Sequence, residues 1–421
     1  MKTYARYKDS GISWIGEIPE HWEISRIRHL FVESDEKTSD AAETLLSLSQ
    51  YTGVSLKSES PKLGMFEAET TEGYKIVHKG QFVMNIMLAW NGSYAVSNLD
   101  GVISPAYCVF DFVKDCEKWY FHYLLRLKVY SGAFKTLSKG IIDSRLRLYP
   151  NKFYTFPVII PPIEEQKAIA VYLDNKTEQI NHLVAAKQKQ IELLKEYKQS
   201  LIANAVTKGI NPKVKLKDSG ISWIGNVPEH WECSTLRKHL RFVSDKGHPD
   251  EQLLSVTREQ GVIIRNTESK EENHNVIPTD LSDYKLVKKG QFAINKMKSW
   301  QGSYAVSSYT GIVSPAYYVC DLDFENKEFF SIAIRSKAYV PFFTMYSKGI
   351  RVDQWDLSPI GLKTIPFFIP PKEEQDTIVS FLKKKIESID SQISSIEKQI
   401  ANLNEYKQSL ISDVVTGKVK V

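Results

Sequence analysis

The chain contains two copies of one design, and this internal repeat constrains its fold more than any other feature. Residues 9–23 read DSGISWIGEIPEHWE and residues 218–232 read DSGISWIGNVPEHWE, which gives 13 matches in 15 positions. A fixed period of self-similarity indicates a structural unit that the fold uses more than once. This period, about 209 residues, is far longer than a solenoid repeat. Each copy is therefore long enough to form a domain of its own.

Further short matches follow in the same order in both copies. They are LLS at Leu45 and Leu253, KGQF at Lys79 and Lys289, GSYAVS at Gly92 and Gly302, SPAY at Ser104 and Ser314, SKGI at Ser138 and Ser347, and EYKQSLI at Glu196 and Glu405. Two pairs of segments differ: residues 54–73 and 262–283, and the stretches IDSRLRL and RVDQWDL that follow SKGI. Either these are loops that drifted after a duplication, or the copies present different contact surfaces to different targets.

Composition restricts the class of protein without identifying a partner. The 421 residues are 42% hydrophobic and 25% charged, which is typical of globular proteins. The net charge of +5 neither requires nor excludes nucleic acid. The cysteines show no zinc-ligand spacing, and no apolar run approaches the roughly 20 residues that span a bilayer. We therefore expect a reduced, cytoplasmic protein.

Each copy begins with a strand-rich part and ends with a helical part. Residues 81–87 and 291–297, and Tyr107–Phe112, are apolar stretches bounded by turn residues, which predicts buried strands. Residues 163–206 contain no glycine or proline and follow a Pro-Pro pair and two glutamates, a pattern that favours a helix start. The sequence therefore predicts a mixed domain followed by one long helix in each copy.

Both helical segments carry an apolar stripe with alternating spacings of three and four, as in a coiled-coil seam. The predicted seam residues are Leu173, Ile180, Val184, Ile191, Leu194, Leu201, Leu382, Ile386, Ile389, Ile393, Ile396, Ile400, Leu403 and Leu410. Polar residues such as Lys187, Lys198 and Lys407 interrupt it. The simplest arrangement pairs the two helices within one chain, and a homodimeric zipper is the alternative.

We predict an α+β fold, with two tandem mixed α/β domains separated by two long helices that form an antiparallel coiled coil, as a pseudo-twofold internal repeat. The expected boundaries are residues 1–160 for the first domain, 161–208 for the central helix, 209–369 for the second domain and 370–421 for the distal helix.

No constellation of catalytic residues is apparent. The chain has no G-x-x-x-x-G-K-[ST] loop, and its Pro-Pro pairs lack the polar and aromatic neighbours of an amino-methyltransferase motif. The acid pairs at Glu164 and Glu373 are explained by the positive end of a helix dipole. His21 and His230, each beside a tryptophan, are interpreted as packed or capping residues. We assign no catalytic residue and no metal site, and expect the chain not to be an enzyme.

The repeated openings, the KGQF and GSYAVS segments, the Pro-Pro-x-Glu-Glu-Gln helix starts and the EYKQSLI helix ends together resemble the specificity subunit of a type I restriction-modification system. The resemblance extends over nearly the whole chain. It implies two target recognition domains that each read one half of an asymmetric bipartite double-stranded DNA site. It also implies that the helices set the spacer between the half-sites.

Partners and cofactors follow from the same resemblance. Two methyltransferase subunits would dock on the helices, and two restriction and translocase subunits would join in the full complex. S-adenosylmethionine, ATP and Mg would be bound by those partners, and this chain would need no cofactor. A two-headed protein-binding adaptor with a coiled-coil strut is the alternative.

DNA-contacting side chains are expected in segments that differ between the copies, because unlike half-sites need unlike readers. The candidates are Gln50, Tyr51, Lys57, Asn91, Arg145, Arg147, Arg258, Gln260, Arg265, Asn266, Lys298, Gln301, Arg351 and Gln354, with Lys139 and Lys348 of the SKGI motif as phosphate contacts.

Overall fold

The computed structural model describes residues 2–39, 44–59, 70–140, 146–266, 277–349 and 355–421. The chain forms two compact units. Unit 1 contains Met1–Lys187 and Lys398–Val421, and unit 2 contains Gln188–Glu397. Each unit therefore includes part of both long helices.

The described residues of unit 1 form twelve strands, three short α-helices and three 3₁₀ turns before the first long helix begins. The strands are β1 (Tyr7–Asp9), β2 (Glu17–Pro19), β3 (Glu23–Arg26), β4 (Phe31–Ser34), β5 (Leu46–Ser49), β6 (Gly53–Leu56), β7 (Lys75–Val77), β8 (Phe82–Asn85), β9 (Tyr94–Val96), β10 (Gly101–Ile103), β11 (Tyr107–Phe112) and β12 (Pro157–Ile160). The helices are α1 (Lys118–Leu125), α2 (Lys128–Leu137), α3 (Pro150–Phe153) and the long α4 (Ile163–Lys208).

Unit 2 repeats this order within its own described residues, with one further short helix after its third strand and two further short strands before its last strand. Its strands are β13 (Leu216–Asp218), β14 (Asn226–Pro228), β15 (Glu232–Thr235), β16 (Leu240–Val243), β17 (Leu254–Thr257), β18 (Gly261–Ile264), β19 (Lys285–Val287), β20 (Phe292–Asn295), β21 (Tyr304–Val306), β22 (Gly311–Val313), β23 (Tyr317–Leu322), β24 (Ser347–Lys348), β25 (Asp356–Leu357) and β26 (Pro366–Ile369). Its short helices are α5 (Leu236–His239), α6 (Lys327–Ile334), α7 (Val340–Met345) and α8 (Pro359–Thr364), and the long α9 (Lys372–Val415) begins in this unit.

A four-stranded antiparallel sheet lies at the centre of each unit. Its order is β4-β11-β8-β9 in unit 1 and β16-β23-β20-β21 in unit 2. In β8, Phe82, Val83 and Met84 are all fully buried, because side chains of both faces pack on a core. The predicted strand at residues 81–87 is thus confirmed but ends at Asn85, where a short 3₁₀ turn follows.

The two faces of the sheet pack on cores of different character. One face joins a large aromatic cluster that includes Phe82, Phe110, Phe134 and Phe153, with the Phe82 and Phe153 rings stacked at 5.7 Å. The other face joins a smaller aliphatic cluster beneath the β5–β6 hairpin, with Val83 among its members. Unit 2 has the same division, with Phe292 on the aromatic side and Ala293 on the aliphatic side.

The two long helices have 46 and 44 residues and begin at the predicted positions. In unit 1, Lys407 Nζ donates to Asn181 Oδ1 at 2.9 Å and Lys187 Nζ donates to Gln399 Oε1 at 2.6 Å. As residue numbers rise along α4 they fall along α9, so the pair is antiparallel. In unit 2, Lys198 Nζ lies 2.7 Å from the Asp390 carboxylate. The predicted intramolecular antiparallel coiled coil is confirmed.

The predicted seam residues lie on the shielded sides of the helices. Leu173, Ile180 and Ile191 of α4 are buried, and Val184, Leu194 and Leu201 are partly buried. On α9, the buried members are Leu382, Ile389, Ile393, Ile396 and Leu410, and the partly buried members are Ile386, Ile400 and Leu403. The three interrupting lysines are explained by their polar partners on the facing helix.

Candidate nucleic-acid interface

Each unit has a β-hairpin with a three-residue loop, and each of the two loops carries two of the predicted DNA-contacting residues. In unit 1, β5 and β6 pair with Ser49 opposite Gly53, which leaves residues 50–52, here named loop 1, between them. In unit 2, β17 and β18 pair with Thr257 opposite Gly261, which leaves residues 258–260, here named loop 2. Loop 1 reads Gln-Tyr-Thr and loop 2 reads Arg-Glu-Gln. All loop side chains are exposed, and Tyr51 retains 84% of its accessible surface.

Glycine closes both hairpins for a steric reason. Gly53 has φ 71° and Gly261 has φ 77°, the left-handed region in which a side chain is strained. A Cβ atom at Gly53 would lie 3.0 Å from Ala95 Cβ, and one at Gly261 would lie 2.8 Å from Ala305 Cβ. The hairpin ends thus approach the central sheet closely, and both repeats use the same residues to do so.

In each unit, an arginine that follows a buried helix donates hydrogen bonds to the backbone of the loop. Arg126 follows α1 directly and donates through Nη2 to Gln50 O at 2.8 Å and through Nη1 to Tyr94 O at 2.7 Å. Arg335 follows α6 and donates through Nη2 to Arg258 O and Glu259 O, both at 2.9 Å. Burial lowers the pKa of both guanidinium groups.

His122 lies beside Arg126 in unit 1. Its Nδ1 accepts a hydrogen bond from Val96 N at 3.3 Å, and removal of the ring from water lowers its pKa to about 3. A second cause of the lowered pKa is the nearby charge of Arg126. The imidazole is therefore neutral at physiological pH, with its proton on Nε2.

A 3₁₀ turn next to each loop brings further predicted residues into the same region. The turns cover Ala89–Asn91 and Ser299–Gln301. A Cβ atom at Gly92 would lie 3.7 Å from Gln50 Cβ, and one at Gly302 would lie 3.9 Å from Arg258 Cγ. Asn91 and Gln301 are partly buried within the turns, and Asn91 Oδ1 already accepts from Ser93 Oγ at 2.8 Å. Lys298 is exposed.

The lysines of the SKGI motifs lie next to these turns. In unit 1, Lys139 and Arg147 exchange two backbone hydrogen bonds, and Leu148 N donates to Ile86 O at 2.9 Å. In unit 2, Lys348 pairs with Asp356, and the next residue, Leu357, donates through its N to Lys296 O at 3.1 Å. Lys139, Arg147 and Lys348 are exposed. Each unit thus places its loop beside its 3₁₀ turn, and pairs the segment that bears its SKGI lysine with a segment next to the residues that lead into that turn.

Other predicted residues lie elsewhere or outside the described part of the chain. Lys57, Arg265 and Asn266 follow β6 or β18 and lie at the end of each hairpin opposite the loop. At about 3.4 Å per strand residue, this end is more than 10 Å from the loop. Arg145, Arg351 and Gln354 lie outside the described residues.

Sequence reasoning missed several residues of this region. Thr52 and Glu259 belong to the loops, and Lys135 Nζ lies 5.2 Å from the centre of the Trp90 ring. Arg126 and Arg335 were also missed. The sequence does contain a signal for them. The two arginines occupy equivalent positions of the repeat. Each loop triplet follows a Ser or Thr and precedes a Gly, and the two triplets differ at every position.

The PEHW motif has a structural explanation that its spacing did not reveal. In unit 1, Glu165 of the α4 start accepts hydrogen bonds from Trp22 Nε1 at 3.0 Å and Tyr4 Oη at 2.8 Å, and its Oε1 lies 2.7 Å from His21 Nε2. Burial alone would raise the pKa of Glu165, but these hydrogen bonds outweigh it and hold the pKa below its usual value. In unit 2, Glu374 binds Trp231 Nε1 at 3.2 Å and His230 Nε2 at 2.8 Å. The dipole explanation of the glutamate pairs was therefore incomplete.

The motif tryptophans also lie in the cores that bury the end of the other long helix. Trp22 shares a core with Val414 and Val415 at the end of α9, and Trp231 shares one with Ala205 and Val206 at the end of α4. Each unit therefore binds the start of one helix and the end of the other. This arrangement favours the antiparallel pair over a parallel one.

Three further observations concern metal binding, thiol reactivity and membrane helices in the described residues. Within the described ranges, no group of three or more His, Cys, Asp or Glu side chains is placed to hold a metal ion. Burial raises the pKa of the Cys108 and Cys320 thiols to about 12, so neither is a thiolate at neutral pH. Across the same residues, no helix has the length and apolar character required to cross a membrane.

Comparison with known proteins gives consistent relatives. No family model matches the chain. The putative type I restriction enzyme MjaX specificity subunit of Methanocaldococcus jannaschii is 24% identical over 312 residues, which cover 72% of this chain and 69% of that protein. The MjaVIII specificity subunit of the same organism is 24% identical over 431 residues, covering 96% and 94%. The Escherichia coli K12 EcoKI specificity subunit is 23% identical over 345 residues, covering 76% and 68%.

Solved structures agree on the fold. A chain from a study of complex assembly and conformational transition of the type I R-M system has a TM-score of 0.65 at 13% identity, covering 96% of this chain and 99% of that chain. The HsdS subunit from Thermoanaerobacter tengcongensis has a TM-score of 0.52 at 14% identity, covering 99% and 100%. In sequence this chain is similar to specificity subunits of type I restriction enzymes, and in fold it is similar to the two solved chains.

Proposed function

We propose that the chain is the DNA sequence-specificity subunit of a type I restriction-modification complex, and that each unit reads one half of an asymmetric bipartite site. The observation that carries the proposal is the pair of hairpins. Their frames are the same in both units, whereas loop 1 and loop 2 share no residue at equivalent positions. Two unlike half-sites require this combination of one scaffold and two different reading surfaces.

The chemistry of the loops suits base recognition. Gln50 can form paired hydrogen bonds with adenine, and Arg258 can do so with guanine. Exposed Lys139 and Lys348 suit contacts to phosphate, which position a protein on DNA without reading sequence. The named relatives are specificity subunits, which supports DNA as the ligand.

The helices are proposed to set the spacer and to bind the partner subunits. The length of α4, 46 residues, corresponds to about 69 Å at 1.5 Å per residue. This exceeds the 34 to 36 Å or so between half-sites one helical turn of DNA apart. Two methyltransferase subunits and two restriction subunits are the proposed partners, and these would bind S-adenosylmethionine, ATP and Mg. The chain itself is proposed to be non-catalytic and cytoplasmic.

Methylome sequencing tests the proposal. The full chain is expressed with a type I methyltransferase subunit encoded in the same genome, and methylated adenines are mapped across the host DNA. We expect one bipartite motif with two unlike halves. An active complex that methylates DNA without any bipartite motif would contradict the proposal.

Two altered chains refine the test. Replacement of residues 1–160 by the corresponding part of a relative should change one half-site and leave the other as it was. Insertion of seven residues into α4 and seven at the facing position of α9 should lengthen the spacer and leave both half-site sequences unchanged. A spacer of unchanged length would overturn the proposed role of the helices.

A further inference from the structure

Arg126 and Arg335 connect two parts of each unit that have separate cores. Arg126 follows α1, whose Tyr120, Phe121, Leu124 and Leu125 are all fully buried in the aromatic core. The hairpin that bears loop 1 packs instead on the smaller aliphatic core, which includes Leu46 and Val54. The hydrogen bond from Arg126 to the loop therefore links the loop directly to the larger core.

The contact acts on the loop backbone and leaves the loop side chains free to differ. Arg126 donates to Gln50 O at 2.8 Å, and a second, longer contact reaches Tyr51 O at 3.4 Å. Arg335 makes two contacts of 2.9 Å, to Arg258 O and Glu259 O. Carbonyl oxygens are present whatever the side chain is, so one arginine can serve two loops of unrelated sequence.

A glycine at the end of each loop leaves space for the guanidinium group of Arg126 or Arg335. A Cβ atom at Gly53 would lie 3.7 Å from Arg126 Nη1, and one at Gly261 would lie 3.3 Å from Arg335 Nη1. Lysine could not reproduce the geometry, because its single ammonium lacks the planar fork that binds two separated acceptors. The same arginine, glycine and alanine occur around both loops.

We propose that Arg126 and Arg335 are positioning residues for DNA recognition, each fixing the backbone of the loop that reads one half-site. This inference rests on the proposed function. A fixed loop loses less conformational freedom when it binds bases, so affinity and base discrimination both increase. Arg126 therefore affects recognition of the half-site read by unit 1, and Arg335 affects recognition of the half-site read by unit 2.

The test uses the full chain in complex with its methyltransferase subunit and a duplex DNA library randomised in both half-sites. Arg126→Lys should reduce base discrimination at loop 1 positions of one half-site by about tenfold, in line with the roughly 1–3 kcal/mol of a good base contact. Arg335→Lys should do the same at the other half-site only. Arg28→Lys, at an exposed position of unit 1, is the matched control and should change neither.

A chemical rescue separates positioning from a general loss of folding. Arg126→Ala should regain discrimination when millimolar guanidinium chloride is added, because the ion can bind the vacated carbonyl oxygens. A loop exchange is independent of any arginine variant. Gln50→Arg, Tyr51→Glu and Thr52→Gln together should change the base preference of the half-site read by unit 1.

The outcomes distinguish this inference from the proposed function. If the unaltered complex shows no bipartite preference, the proposed function fails. If the unaltered complex shows one, but Arg126→Lys and Arg335→Lys retain full discrimination, only the positioning role is overturned. A loop exchange that leaves base preference unchanged also overturns it, even where the arginine variants do not fold.

Discussion

Trp22 donates its indole N–H to Glu165 Oε2 at 3.0 Å, which ties the PEHW motif of unit 1 to the first turn of α4. The tryptophan is fully buried, so water cannot replace the carboxylate as acceptor. Trp231 and Glu374 repeat the contact in unit 2 at 3.2 Å. The glutamates that mark the start of each long helix in the sequence thus also accept tertiary hydrogen bonds from the PEHW motif.

Loss of this carboxylate should destabilise unit 1. Glu165→Ala leaves the Trp22 N–H and the Tyr4 hydroxyl without their acceptor, and we expect the free energy of unfolding to fall by about 1–3 kcal/mol. The neighbour Glu164 provides the control, because its side chain is 80% exposed and its ion pair with Lys167, at 3.1 Å, lies on the surface. Glu164→Ala should change stability by less than about 0.5 kcal/mol, as measured by urea unfolding. Equal effects would contradict the assigned role.

The stability of the chain should depend on the protonation of His122. Its pKa falls from 6.5 when exposed to about 3 in the fold, so the unfolded chain binds the additional proton between these values. The stabilisation is therefore complete above pH 6.5 and declines as the pH falls, by about 1.4 kcal/mol per pH unit. His122→Ser introduces the residue found at the equivalent position, Ser331, and should remove this slope. Parallel pH profiles of the two proteins between pH 4.5 and pH 7 or so would exclude the effect.

A lysine of the seam should lower the stability of the coiled coil. Lys198 occupies a seam position of α4 and pairs with Asp390 at 2.7 Å. Lys198→Leu should raise the free energy of unfolding by about 1 kcal/mol, because apolar packing replaces a partly buried ion pair. Lys195→Leu, at an exposed position on the same helix, should not. Thermal unfolding measures both variants, and a destabilised Lys198→Leu would show that the ion pair is net favourable.

The glycine that closes the second hairpin should resist substitution for two reasons. Gly261→Ala adds a side chain at φ 77° and places its Cβ 2.8 Å from Ala305 Cβ. Gly220 has φ 73° but nothing within 4 Å of its Cβ position, so Gly220→Ala carries the backbone strain alone. We expect a loss of about 1–2 kcal/mol for Gly220→Ala and about 1–3 kcal/mol more for Gly261→Ala. Similar losses, measured by chemical denaturation, would mean that the hairpin can shift away from the sheet.

Much of the fold follows from patterns that are local in sequence. The apolar stripe from Leu382 to Leu410 predicted α9 and its shielded face, because helical periodicity depends only on spacing along the chain. The strand Tyr107–Phe112 was predicted with its observed bounds for a similar reason. The interruptions at Lys187, Lys198 and Lys407 had no local explanation, since their partners lie on another helix about 190 to 230 residues away in sequence.

The candidate interface was predictable only in part. Comparison of the two copies identified Gln50, Tyr51, Arg258 and Gln260 as variable polar residues, and the structure places all four in hairpin loops. It also grouped Lys57 with them, although Lys57 lies at the opposite end of the hairpin. Sequence variation shows where the two copies differ, but it does not show which of the differing residues lie close together in space.

The sequence alone determined the duplication, the order of domain and helix, and the positions of the long helices, because these depend on periodicity and on similarity between copies. Tertiary structure decided which polar residues act together. Arg126 reaches a loop 75 residues away, and Trp22 reaches a glutamate 143 residues away, through contacts between elements that are distant in the chain. Such contacts arise from the packing of buried faces, and no local pattern in the sequence records them.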